Sequence, residues 1–252
     1  MVANAGPSHP SRVKVGTCGF GLAKAAYARA FSCVEVQNTF YQPPQPKTLA
    51  SWRAQMPSGF EFTLKAWQLI THDAKSPTYR RLKKKLTETE RAEAGYFRAT
   101  DIVAEAWAAT LASARALQAR TILFQCPASF RQTKEHIASL ERFFSIIDRK
   151  GLNLCWEPRG NWDGAVVSSV CAALDLWHVV DPFVTRTVTP DKCYFRLHGR
   201  NGWRYQYEAG ELEELAASLP QQSSGYVFFN NSKMTEDALK FRRLIDEPNP
   251  QG

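Results

Sequence analysis

The run CYFRLHGR, residues 193–200, is apolar enough for a buried strand, yet it carries Arg196 and His198. Successive strand side chains point to opposite faces, so Tyr194, Arg196 and His198 share one face and Cys193, Phe195 and Leu197 the other. One face is apolar throughout; the second ends in a cation and an imidazole. That second face looks either into water or into a site, and the surrounding fold decides which.

Seven other β-rich runs share its character: VKVGTCG (13–19), CVEVQNTF (33–40), FEFTLKA (60–66), TILFQCP (121–127), LNLCWEP (152–158), LWHVVDP (176–182) and GYVFFNN (225–231). Helix-like segments such as DIVAEAWAATLASARALQA and KEHIASLERFFSIIDR separate most of them. Strands alternating with helices imply parallel pairing and right-handed crossovers. Eight such units without a linker predict an α/β chain folded as a single (β/α)8 barrel of the TIM type, an architecture that suits 252 residues. The barrel is expected over 13–246, with a flexible tail at 1–12 and another at 247–252. The first connection (GLAKAAYARAF) is short, and the sixth (FVTRTVTPD) is too β-branched for a good helix. The third is long and carries a basic insertion, residues 75–100, between strand 3 and helix 3.

Net charge is +8, and the insertion concentrates it. Between Lys75 and Arg98, eight basic residues meet three acidic ones, leaving +5 there and only +3 elsewhere. No run approaches the roughly 18 apolar residues of a membrane span, and MVANAGPSHPSR lacks a signal-peptide pattern. The six cysteines form no CxxC pair, which reads as reduced, buried thiols in a cytoplasmic protein and speaks against a disulfide framework or zinc knuckle.

In such a barrel the carboxyl ends of the strands and the loops after them form the active face. With the more apolar parity of each strand turned toward the helices, strand 2 sends Glu35 and Gln37 inward, strand 3 Thr63 and Lys65, strand 4 Gln125 and strand 5 Glu157. Strand 6 sends Asp181, strand 7 Arg196 and His198, and strand 8 Asn230. Barrel strands are covered on both faces, so solvent does not account for these polar groups; they read as a site.

The ordered segments VGTCGF, VEVQNTFYQPP, FEFTLKAWQLITH, ILFQCPASF, CWEPRGNW, VVDP, FRLHGR followed by YQY, and VFFNN resemble the YecE-like family, catalogued as domain of unknown function 72. The resemblance runs from about Val13 to the last helix and implies a variant TIM barrel; it carries a fold rather than an activity. It marks Gly16, Glu35, Asn38, Phe40, Tyr41, Lys65, His72, Gln125, Pro127, Glu157 and Arg159. Further along it marks Trp162, Asp181, Arg196, His198, Gly199, Tyr207, Asn230 and Asn231. The chain departs from the family in its first loop, where an aromatic-rich stretch is compressed to GFGLAKAAYARAF.

Several chemistries compete for these residues. Glu35, His72, Glu157, Asp181 and His198 form a hard-ligand set for a divalent metal, but Lys65, Arg159 and Arg196 at the same rim can neutralise the carboxylates without one. Glu157 and Arg159 flank Pro158, which suits a carboxylate base tuned by a guanidinium or a salt bridge closing the barrel top. Glu35 as a second carboxylate brings glycosidic chemistry within range. Lys65 beside Phe62 and Leu64 is either a desolvated amine for imine or phosphate chemistry or a counter-ion. HGRNG (198–202) follows strand 7, where barrels bind phosphate through backbone N–H groups, with Arg196 and Arg200 for charge. GTCGFG is too loose for a dinucleotide loop, so no nucleotide cofactor motif is present.

The expected function is therefore an enzyme acting on a phosphate-bearing substrate, a nucleic acid or a sugar phosphate, by acid/base or metal-assisted hydrolysis. Glu157, Glu35, His198, Asp181 and Lys65 would be catalytic. Gln37, Asn38, Tyr41, His72, Gln125 and Arg159 would contact substrate, as would Trp162, Arg196, Arg200, Tyr207, Asn230 and Asn231. The alternatives are a non-catalytic module binding nucleic acid or a phosphate ligand, and a carbohydrate-active or isomerase-type barrel. YRRLKKKLTETER with Tyr79, Tyr96 and Phe97 offers cations interleaved with rings for a nucleic-acid backbone, or a solvated helix face with Lys84 paired to Glu88. Being peripheral, the insertion is expected to be more mobile than the barrel unless helix 3 anchors it. Neutralising Arg81, Lys83, Lys84 and Lys85 together should then leave stability nearly unchanged.

Overall fold

Eight parallel strands carry the architecture: β1 (Arg12–Thr17), β2 (Cys33–Val36), β3 (Glu61–Lys65), β4 (Thr121–Gln125), β5 (Asn153–Glu157), β6 (Leu176–His178), β7 (Lys192–Leu197) and β8 (Ser224–Phe229). The structure is a computed structural model that describes residues 12–149, 151–220 and 224–246. The expected tails fall almost wholly outside the described residues. Hydrogen bonding joins β2 to β6 in chain order as one sheet and β1, β8 and β7 as another. Single parallel bridges, Cys18 to Glu35 and Val180 to Phe195, connect the facing edges of the two sheets. The strand order thus runs once around, as a (β/α)8 barrel requires. At Gly16 on β1 a Cβ atom would sit 2.5 Å from the Cys33 carbonyl oxygen on β2, so only glycine permits that approach.

The connections follow the expected alternation with additions. After β1 comes α1 (Lys24–Ala30), and after β2 come α2 (Asn38–Tyr41) and α3 (Pro46–Ala54). The β3–β4 connection holds α4 (Gln68–Thr71), a 3-10 turn (Pro77–Arg81), α5 (Glu88–Glu93) and α6 (Asp101–Leu117). The rest are α7 (Lys134–Ile146), α8 (Gly164–Ala173), α9 (Ala209–Ser218) and α10 (Met234–Asp246), which follow β4, β5, β7 and β8. No helix forms between β6 and β7 among the described residues, as the β-branched run there predicts. Local signals set the ends: Thr87 and Glu90 form a reciprocal capping box at α5, and Asp163 accepts the Ala165 and Val166 N–H groups at α8.

Burial resolves the parity question. Val34, Val36, Leu64, Phe124, Trp156, Cys193, Phe195 and Leu197 belong to the large apolar cluster between strands and helices. Cys33, Leu123, Cys155, Val179, Tyr194 and Phe228 form a second, smaller cluster inside the barrel. Tyr194 therefore points inward, and Arg196 follows it on the same face, only 1% exposed. All six cysteines are free and buried. No helix among the described residues is long and apolar enough to cross a membrane.

The basic insertion is more firmly seated than its composition implies. Tyr79 is buried and donates its hydroxyl to the His72 carbonyl at 2.7 Å. Phe97 packs among Phe124, Phe143 and Phe144 with ring centroids 5.3–6.1 Å apart. Lys84 precedes α5 and cannot make the helical pair with Glu88; it meets Glu105 of α6 at 2.7 Å and Glu90 at 3.4 Å instead. Helix α6, the third of the original count, thus anchors the segment.

Candidate functional site at the barrel mouth

A cavity of about 410 Å³ opens at the carboxyl ends of the strands. Lys65, Gln125, Arg196 and His198 enter from β3, β4 and β7; Gln37, Asn38, Phe40 and Tyr41 come from the β2 loop and α2; Arg159 and Asn230 follow β5 and β8. The β3 connection adds His72, Thr78 and Arg81.

Arg196 is the pivot. Its Nε lies 3.1 and 3.2 Å from the two Glu35 oxygens, Nη2 lies 2.9 Å from Glu35 Oε1, and Nη1 donates to Glu157 Oε2 at 2.6 Å. Glu35 is fully buried and also accepts from the Tyr194 hydroxyl at 2.6 Å and from the Gln37 amide. Burial alone would raise its pKa, but Arg196, Tyr194 and Lys65 outweigh burial and hold it below the ordinary carboxylate value. Glu157 shares its second oxygen with Arg159, at 2.7 Å, and His198 stands 3.5 Å away. Against its burial, Arg196 and Arg159 press its pKa down to about 2. A carboxylate so placed is a permanent counter-ion and a weak base.

The histidines of the mouth stay neutral. Burial, with Lys65 and Arg159 nearby, takes His72 to about 3, and its Nδ1 bonds the Thr71 hydroxyl at 2.7 Å. Burial and the Arg196 charge take His198 to about 4, and its Nε2 faces an Arg159 N–H. The His72 main chain is clasped from two sides. The Tyr79 hydroxyl holds its carbonyl, and Gly95 (φ +83°), pinned by its N–H to Leu69 at 2.7 Å, passes against it. Lys65 donates to Gln125 Oε1 at 2.8 Å and lies 3.9 Å from the Phe40 ring centre. Burial and Arg196 bring its pKa down to about 8.

Ten of the expected residues therefore line the cavity: Gln37, Asn38, Tyr41, Lys65, His72, Gln125, Arg159, Arg196, His198 and Asn230. Glu35 and Glu157 lie beneath it, bound to Arg196. The other five serve the walls. Asp181 accepts the His198 N–H at 3.0 Å and the Phe183 N–H at 3.1 Å, so its carboxylate fixes the strand-7 loop. The Tyr207 hydroxyl accepts the Gly199 N–H at 2.9 Å. Asn231 bonds the Tyr205 carbonyl and the buried Asp237. Trp162 stacks on Phe130 and donates to its carbonyl. Arg200 turns out to Glu211 and Glu214. The proposed metal ligands are not gathered, and among the described residues no group of three or more His, Cys, Asp or Glu could hold an ion. Arg81 was legible only as part of a charged run. Its place in the mouth comes from stacking its guanidinium 3.5 Å over Tyr41, a contact without a sequence signal.

These elements define a TIM-type (β/α)8 barrel whose cation-lined mouth lies at its carboxyl face over two buried carboxylates. A family model described as protein of unknown function DUF72 matches residues 23–251, and the chain belongs to that family. The protein YecE of Escherichia coli (strain K12) is 37% identical over 67 residues, 27% of this chain and 23% of that protein, so the match spans under a quarter of the relative's length. A solved DUF72 family protein from Enterococcus faecalis V583 is 22% identical with a TM-score of 0.70, covering 96% of this chain and 100% of the other. A solved D-psicose 3-epimerase is 15% identical with a TM-score of 0.59, covering 92% and 98%; this likeness is one of fold.

Proposed function

We propose that the mouth is the active site of an enzyme that takes a small phosphate-bearing substrate, the size of a sugar phosphate or a single nucleotide, and transforms it by acid/base chemistry. One observation carries this reading: four cations, Lys65, Arg81, Arg159 and Arg196, line a cavity of about 410 Å³ over two carboxylates, Glu35 and Glu157. With both histidines neutral, three guanidinium charges against two carboxylates leave a surplus of one, and of two while Lys65 is protonated, which favours an anion in the mouth. The amides of Gln37, Asn38 and Asn230 and the Tyr41 hydroxyl suit sugar hydroxyls. Glu157, the base expected from sequence, is held too acidic for that task; Lys65 is the mouth group whose proton moves nearest neutral pH. Because no group of three or more His, Cys, Asp or Glu gathers among the described residues, this reading uses acid/base chemistry alone.

Calorimetric titration with inorganic phosphate, sugar phosphates and nucleotides, followed by product detection by phosphorus NMR, tests the proposal. Binding that weakens with salt, falls about tenfold in Arg159→Ala, and leads to turnover of a panel member supports it. Absence of phosphate binding at low salt ends it. A second reading, a nucleic-acid binding module, draws on Arg80, Lys83 and Lys85, which have no acidic partner among the described residues, and on exposed Trp203 beyond strand 7. Oligonucleotide binding with a steep salt slope and no turnover of any phosphoester would favour it.

A further inference from the structure

We propose that Lys65 is an imine-forming nucleophile, and that the substrate therefore carries a free aldehyde or ketone within reach of its Nζ. The inference deepens the phosphate-substrate reading, on which it rests, by naming the reacting group: an open-chain carbonyl sugar phosphate.

Four observations lead there. Lys65 is the one lysine among the described residues that is buried, at 6% exposure, and it lines the mouth cavity. Among the described residues its Nζ is not spent on an ion pair, and its one hydrogen-bond partner is the neutral amide oxygen of Gln125. The Phe40 ring 3.9 Å away favours the ammonium through its π face, but the Arg196 guanidinium, which shares Gln125 Oε1 at 3.3 Å, opposes a second positive charge beside it. A counter-ion lysine would sit on Glu35 or Glu157, but Arg196 has already taken both. Burial and the cationic neighbour are the two means by which proteins make a lysine amine available near neutral pH, and the fall to about 8 agrees.

The step balances within the site. The neutral amine's lone pair attacks the carbonyl carbon, forming a C–N bond while the carbonyl electrons move to oxygen, which takes up the proton released by nitrogen. The carbinolamine then expels water: one proton, taken from solvent at the open mouth, goes to the departing hydroxyl as the C–O bond breaks and the nitrogen lone pair forms the protonated imine. That cation draws electrons from the adjacent carbon, which loosens a proton or a carbon–carbon bond there. The charged and titratable groups facing Nζ are Arg196, Glu35, Glu157, Cys18 and, across the mouth, His72. The carboxylates lie where they stabilise the new cation.

The test uses the full chain and two probes. 2,4-Pentanedione, a neutral diketone, is added at pH 7.5, and the modified lysine is located by peptide mass mapping. Dihydroxyacetone phosphate is added separately with cyanoborohydride to reduce any imine. The expected result is one adduct per chain, on Lys65, forming about tenfold faster than on any other lysine. Its rate should rise through about pH 8, and inorganic phosphate should slow the labelling by the phosphorylated ketone. Lys65→Arg, with folding verified by circular dichroism, should remove the adduct; the wild-type map stands without it if the variant does not fold. Labelling scattered over surface lysines with Lys65 unmodified overturns the inference. Phosphate binding without labelling at Lys65 by either probe refutes the imine and leaves the phosphate reading intact. Diketone labelling of Lys65 without any phosphate binding or protection does the reverse.

Discussion

Arg196 and Glu35 form a two-pronged ion pair inside the barrel, with Nε and Nη2 both within 3.2 Å of the carboxylate and both residues at most 1% exposed. A second carboxylate, Glu157, holds the remaining guanidinium nitrogen at 2.6 Å. Such a pair contributes little over an apolar replacement, but breaking it strands a buried charge. The network therefore presents an ordered polar floor to the mouth at a high local cost.

Removing the guanidinium should thus be severe. Arg196→Ala leaves Glu35 and Glu157 without their shared partner and is expected to cost about 3–5 kcal/mol in urea unfolding. Arg196→Ala combined with Glu35→Gln should recover part of that loss, since a neutral amide tolerates burial better. Additive losses would show that the two residues are not coupled.

Acid should begin to destabilise the fold below about pH 6.5, before ordinary carboxylates take up protons. His72, His178 and His198 have folded pKa values lowered to about 3, 4 and 4, chiefly by burial. A lowered folded pKa contributes stability above the unfolded value near 6.5, and that contribution is lost as pH falls toward the folded value, because the unfolded chain takes up the protons first. Between about pH 5.5 and 5, each histidine should remove about 1.4 kcal/mol per pH unit, and His178 and His198 about half that rate by pH 4. Urea midpoints measured from pH 7.5 to 4.5 check this, and His178→Asn should flatten the profile.

Gly95 should tolerate no side chain. It sits at φ +83°, and a Cβ there would stand 2.2 Å from the His72 carbonyl oxygen. Gly95→Ala is expected to cost roughly 2 kcal/mol or more. It should also weaken phosphate binding, because the displaced main chain carries His72 away from the mouth.

The insertion should divide into tied and free cations. Replacing Arg80, Lys83 and Lys85 with glutamine is expected to leave the melting temperature unchanged, while slowing association of anionic ligands at low salt and flattening the salt slope. Adding Lys84→Gln should lower the melting temperature, since Lys84 ties the segment to Glu105 and Glu90. Unaltered association in the triple variant would reduce the cluster to a solvated face.

Local periodicity determined the barrel. Each strand writes its two faces in alternate residues, and eight such runs separated by helical segments leave few ways to bury both faces. The same alternation is enough to place Lys65, Gln125, Arg196 and His198 in one mouth. What remained hidden depends on distances between segments far apart in the chain. Sequence could not say that Arg196 would satisfy both Glu35 and Glu157, leaving Glu157 a poor base and Lys65 without a carboxylate. Nor could it show that Asp181, Tyr207 and Asn231 would be spent on main-chain groups of neighbouring loops, or that Arg81 would reach the mouth across Tyr41. Side-chain parity is a property of one strand, whereas the partner that claims a charge is chosen only when the strands close around it.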